Sequence, residues 1–82
     1  MKILWDEPKR EANIVKHGMD FAALTVGFFE TALIKDAKED RLLAIGEFEG
    51  ITIIAVVFRP LGSDALSVIS MRRASKIERN LS

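Results

Sequence analysis

Eighty-two residues without a cysteine leave room for one domain, 1–82, and exclude disulfide staples, thiolate metal sites and cysteine nucleophiles. Twelve acidic and twelve basic side chains cancel, which excludes a uniformly basic nucleic-acid surface and leaves only local patches. The balance is uneven: residues 1–58 hold seven Lys/Arg against ten Asp/Glu, whereas residues 59–82 hold five, Arg59, Arg72, Arg73, Lys76 and Arg79, against Asp64 and Glu78.

In chain order, Lys2-Ile3-Leu4-Trp5 reads as a first strand. The charged run Asp6, Glu7, Lys9, Arg10 and Glu11 follows at once, unlike a secretory leader, and the apolar stretches fall short of a bilayer span. A soluble cytoplasmic protein with no membrane partner is expected. Asp6 can cap a helix with Pro8 in its first turn, running to about His17, and Gly18 suits a left-handed end. Asp20 can cap a second helix, roughly Phe21 to Phe29, apolar around much of its girth. Ala32–Lys35 gives a short strand and Lys38-Glu39-Asp40 a polar loop. From Arg41 to Glu47 side chains alternate, with Leu42, Ala44 and Gly46 on one face and Arg41, Leu43, Ile45 and Glu47 on the other. Gly50 marks a turn, and the β-branched run Ile51–Phe58 reads as a strand covered on both faces. Pro60–Asp64 is turn chemistry, Ala65–Met71 a last strand, and Ser75 with Glu78 a capping box opening a terminal helix. The order β-α-α-β-β-β-β-α predicts an α+β domain, two N-terminal helices packed on one face of a mostly antiparallel sheet.

The cationic end is the place to look for chemistry. Arg72 and Arg73 leave the last strand together, and alternation sends them to opposite faces unless the strand has ended or bulged. Lys76 and Arg79 follow at i, i+3 spacing, so a sharp turn at Ala74-Ser75 would gather cations suited to phosphate. The plain alternative is a solvated C-terminus. Ser70, at a strand end, is ordinarily a backbone partner, and a single histidine leaves no nucleophilic triad for it. His17 either caps the last carbonyls of its helix or serves as a proton donor or phosphate contact. Arg41 and Arg59, at strand ends, are either ordinary ion-pair partners or members of the patch, Arg59 being the better held. Asp36, Glu39 and Asp40 show no magnesium-binding spacing, one histidine makes no metal cluster, and no cofactor motif appears. Trp5 and Phe48 read as core residues.

Trp5-Asp6-Glu7-Pro8-Lys9, Asn13, Lys16-His17-Gly18 and Phe21 together resemble the opening of the BrnT toxin family. Arg41-Leu42-Leu43-Ala44-Ile45-Gly46 is similar to its central strand, and Ile69-Ser70-Met71-Arg72-Arg73-Ala74-Ser75 with Glu78-Arg79 to its close. The resemblance implies a RelE-like fold and a toxin of a type II toxin–antitoxin module that cuts RNA and arrests translation. It implies a BrnA-like ribbon-helix-helix antitoxin as partner, with operator DNA engaged only through that antitoxin. His17, Arg41, Arg59, Arg72 and Arg73 become the foremost positions, with Ser70 and Glu78 behind them. The family often carries a tyrosine near its C-terminus; this chain has none, which removes any tyrosine proton donor.

The expected chemistry is metal-independent cleavage by the 2′-hydroxyl, leaving a 2′,3′-cyclic phosphate. Arg72 and Arg73, assisted by Arg59, would stabilise the phosphate; His17 would move the proton; Arg41, Ser70, Lys76, Glu78 and Arg79 would contact substrate, Glu78 also orienting an arginine. The rival readings are an inactive module that joins its antitoxin on operator DNA, and a structural domain without a ligand.

Overall fold

The computed structural model describes residues 1–81. Strand β1 (Lys2–Trp5) leads into helix α1 (Glu7–His17), which stops at Gly18 with φ +69° and the Gly18 N–H donated to the Ile14 carbonyl. Asp6 occupies the N-cap position in extended conformation but its side chain caps nothing, contrary to expectation. The neighbouring Glu7 carboxylate is the one in use, accepting from Trp5 Nε1 at 2.7 Å and from Arg10 Nη1 at 3.0 Å.

The expected second helix is two elements. Asp20 caps a 3₁₀ turn (Phe21–Ala23) and Thr25 caps helix α2 (Val26–Thr31), with Leu24 extended between them. Two capping side chains within a few residues, each accepting from a backbone N–H ahead of it, divide one apolar run into two short starts. The element order therefore differs from β-α-α-β-β-β-β-α by this interposed turn. After α2 come β2 (Leu33–Asp36), β3 (Leu42–Phe48), β4 (Thr52–Leu61), β5 (Ala65–Arg73) and α3 (Lys76–Leu81).

The five strands form one mixed sheet in the order β1-β5-β4-β3-β2. Only β1 and β5 run parallel; the other neighbours are antiparallel. Strand β4 outlasts the expected stop at Phe58 because Arg59, Pro60 and Leu61 still pair with β5. Proline is tolerated there because β3, which ends opposite Phe58, no longer runs along its other side. Strand β5 likewise continues through Arg73.

One sheet face carries the helices. Phe21, Leu24, Phe28 and Phe29 pack on Ala44, Ile54, Val56, Phe58, Leu66, Val68 and Met71, with edge-to-face rings 5.1 Å apart for Phe28–Phe29 and 5.2 Å for Phe29–Phe58. Gly46 lets α2 lie close, since a Cβ there would meet Ala32 at 3.3 Å. The opposite face is lightly covered: Ile45 and Ala55 are buried at its centre, while Leu43 and Val57 stay half-exposed. Trp5 and Phe48 pack against the core as expected.

Candidate active site

The candidate residues that the fold brings together lie around the second half of β5. A β-bulge interrupts its pairing with β4, where Phe58 faces Val68 but Val57 faces Ser70, leaving Ile69 as the extra residue. The bulge resets the alternation, so that Ser70 and Arg72 lie on the open face and Met71 stays in the core.

Beyond the bulge the strand is regular, and this separates the two arginines. Arg72 pairs with Ala55 on the open face and Arg73 with Ile54 on the helical face, so Arg72 and Arg73 do not converge. Arg73 instead lines a hollow of ≈320 Å³ with Arg79 and the β3–β4 turn residues Ile51 and Thr52. Lys76 is exposed on α3.

The turn at Ala74-Ser75 does bring α3 back to Arg72. Glu78 accepts from Arg72 Nη1 at 2.6 Å and from Nη2 at 2.9 Å, a bidentate pair, and Glu78 Oε1 also accepts from the Ser75 N–H at 2.8 Å. Ser75 Oγ accepts in return from the Glu78 N–H at 3.2 Å, completing the capping box. The guanidinium and the Ser75 N–H hold the Glu78 carboxyl at about 2, well below the usual range, and the same pair raises Arg72 above its ordinary value. With Arg72 Nη1 also donating to the Arg73 carbonyl at 3.3 Å, the donors left over are Nε–H and one proton on Nη2. Those two lie parallel along one edge of the planar guanidinium, the geometry that grips a phosphate with two bonds.

His17, half-buried, faces the other flank of β5. Lys9, Asn13, Lys16 and His17 from α1 and Ile69 and Ser70 from β5 line a cleft of ≈240 Å³ with no carboxylate in its wall. Ser70 is therefore shared by the His17 cleft and the face that carries Arg72. Arg59 sits lower on that face, opposite Ser67, exposed and without an ion pair among the described residues. Arg41, one residue before β3, lies on the same side by alternation and reaches Glu39 at only 3.8 Å, with its Nε buried and unbonded. Four residue steps along β4 separate Arg59 from Ala55, the partner of Arg72, roughly 13 Å. A hollow of ≈660 Å³ between α2, β2, β3 and Leu81 has Glu47 as its one charged lining residue among the described residues and does not suit an anion.

Sequence reasoning gave no role to the polar contacts that brace this region. Asn13, buried, bonds the Met71 backbone through both ends of its carboxamide. Arg10 makes a two-pronged pair with Asp20 at 2.8 and 3.0 Å, tying α1 to the 3₁₀ turn; it holds the Asp20 carboxyl below its usual range. The i, i+4 step from Asn13 to His17 was the available signal for the first; the ten-residue step of the second has no local signature.

Residues 5–78 match the family model described as the ribonuclease toxin BrnT of a type II toxin–antitoxin system. The chain belongs to the BrnT family. The 1.1 Å crystal structure of the Brucella abortus ribonuclease toxin, BrnT, superposes on it with a TM-score of 0.87 at 64% identity, covering 93% of this chain and 99% of that one. No curated protein matches. Membership of the BrnT family makes this a ribonuclease toxin with an antitoxin as its partner. In BrnT terms, residues 5–78 take in α1, the bulged β5 and Glu78, so the matched region holds both the Arg72–Glu78 pair and the His17 cleft.

Proposed function

We propose that this BrnT-family toxin is a metal-independent endoribonuclease whose catalytic seam runs along β5 from the His17 cleft to Arg72. The carrying observation is the Arg72 guanidinium, fixed by Glu78 with two donors left for a phosphate, on the same sheet face as Ser70, which also lines the cleft of α1's basic flank.

In the reaction the 2′-oxygen bonds to the adjacent phosphorus as the bond from phosphorus to the 5′-oxygen breaks. The 2′-hydroxyl loses a proton, the departing 5′-oxygen gains one, and the products are a 2′,3′-cyclic phosphate and a 5′-hydroxyl. Arg72 stabilises the charge growing on the non-bridging oxygens, and His17 moves the proton. Glu78 orients Arg72; held at about 2, its carboxylate is too weak a base for the 2′-hydroxyl. Ser70 contacts the substrate at the junction of cleft and face, and Arg59 and Arg41 hold a neighbouring phosphate. Arg73, Lys76 and Arg79, away from this face, contact RNA outside the scissile step.

The remaining parts of the reading concern context. The α+β arrangement, with α2 and the 3₁₀ turn packed on one face of a mostly antiparallel sheet and the short α3 returning to the other, supports a RelE-like assignment. The protein acts on cytoplasmic RNA and is neutralised by a BrnA-like ribbon-helix-helix antitoxin, which alone contacts operator DNA. The test is cleavage of a labelled RNA in excess chelator by the wild type, His17→Ala and Arg72→Ala, each verified as folded. Cyclic-phosphate ends from the wild type and at least a hundredfold loss in each variant are expected. Ends bearing a 5′-phosphate would sink the transesterification. Intact RNA with a stable antitoxin complex would leave the chain a binding module.

A further inference from the structure

We propose that Asn13 is a positioning residue for this seam, setting His17 against Ser70 and Arg72; the proposal rests on the ribonuclease reading given above. The need for such a residue follows from the topology. Strand β1 covers the outer edge of β5 only as far as Trp5 opposite Val68. Past that point the stretch that carries Ser70 and Arg72 has no strand on its outer side.

Asn13 takes the missing strand's place. Its Nδ2 donates to the Met71 carbonyl at 2.9 Å and its Oδ1 accepts from the Met71 N–H at 3.1 Å, so one side chain makes the two bonds a strand residue would make. The second Nδ2 proton goes to the Met19 carbonyl at 2.9 Å, in the loop that follows α1. Met71 lies between Ser70 and Arg72, and His17 stands one helical turn after Asn13 on the same side of α1. The carboxamide thus fixes helix, loop and strand at the residues flanking all three proposed groups. No other short side chain fits, because the position needs two donors and one acceptor: aspartate lacks the donors and serine supplies one. At 6% exposure no water replaces them cheaply.

A merely structural Asn13 predicts that activity follows the folded fraction; a positioning Asn13 predicts loss in fully folded protein. Asn13→Ala and Asn13→Ser are compared with the core variant Ile54→Ala, at a temperature where all are folded by circular dichroism. Steady-state kinetics on a short RNA are read beside the NMR signals of the His17 ring and the Arg72 Nε–H. In the Asn13 variants kcat is expected to fall about tenfold to a hundredfold with KM changed less than about twofold, while Ile54→Ala keeps kcat within about twofold. Both NMR signals shift in the Asn13 variants only. Equal kcat in the Asn13 and Ile54 variants, or unmoved His17 and Arg72 signals, overturns the proposal. If Asn13→Ala does not fold, Asn13→Ser decides by the same readings. A folded wild type that leaves RNA intact defeats the ribonuclease reading alone, and the two NMR signals still decide whether Asn13 positions these groups.

Discussion

Replacing Glu78 by glutamine keeps the volume and an acceptor for the Ser75 N–H but removes the charge that holds Arg72. The carboxyl falls from its ordinary 4.5 to about 2 in the folded protein, which sets an upper bound of ~3 kcal/mol on the stabilisation at neutral pH. Arg72 is 36% exposed and Glu78 15%, so solvent screening brings the expected loss to ~1–2 kcal/mol. In a domain of this size that lowers Tm by about 5–10 °C. The sign follows from proton binding. Between 4.5 and about 2 the unfolded chain carries the proton and the folded one does not, so this contribution is complete above pH 4.5 and is lost as pH falls through about 2. Glu7 and Asp20 are also held below their ordinary values, chiefly by hydrogen bonds from Trp5 and Arg10, so the wild type's acid sensitivity has several sources. The difference between wild type and Glu78→Gln isolates one. Urea titrations from pH 7 to pH 2 should show a gap that is widest near neutrality and closes toward the acid end. A gap of constant size across that range would refute the reasoning.

Gly46→Ala should destabilise by ~1–3 kcal/mol in urea, because its methyl would press at 3.3 Å on Ala32 and at 3.4 Å on Phe28 in α2. Gly18→Ala meets no neighbour but must hold φ +69°, so a loss of ~1 kcal/mol is expected in thermal melts, arising from backbone strain alone. Arg59→Ala should leave stability within ~0.5 kcal/mol, since the side chain is exposed and makes no ion pair, while the salt dependence of RNA binding, measured by fluorescence anisotropy, loses about 0.7 of its log–log slope.

The elements legible in the sequence were those with local causes. Pro8 with Gly18 bounded α1, the Ser75–Glu78 box opened α3, and the alternation from Arg41 to Glu47 assigned the faces of β3 correctly. The second helix misled because an apolar run reports burial, and only the two caps, Asp20 and Thr25, carry the break. The end of β4 misled because Pro60 signals a turn in isolation, whereas strand order leaves that side of it without a neighbour. In the candidate site, alternation alone foretold that Arg72 and Arg73 part company, provided the strand stayed regular. What the sequence could not supply was the position of the bulge, one residue before Ser70, and the return of Glu78 to Arg72. Asn13 stayed silent because its partner is the backbone of Met71, 58 residues away, and a backbone partner leaves no residue type to notice.

The parallel pairing of β1 with β5 has a consequence for biosynthesis. Residues 2–5 find their strand partners only at 65–68, so β1 waits for β5 to be made before it can join the sheet. Such sequence-distant closure is slow compared with hairpin formation. A nascent toxin thus stays without this sheet edge until β5 has emerged, an interval in which its antitoxin can meet the incomplete chain. The same closure makes both strands indispensable: removing β1 or the second half of β5 dismantles the same edge from opposite ends.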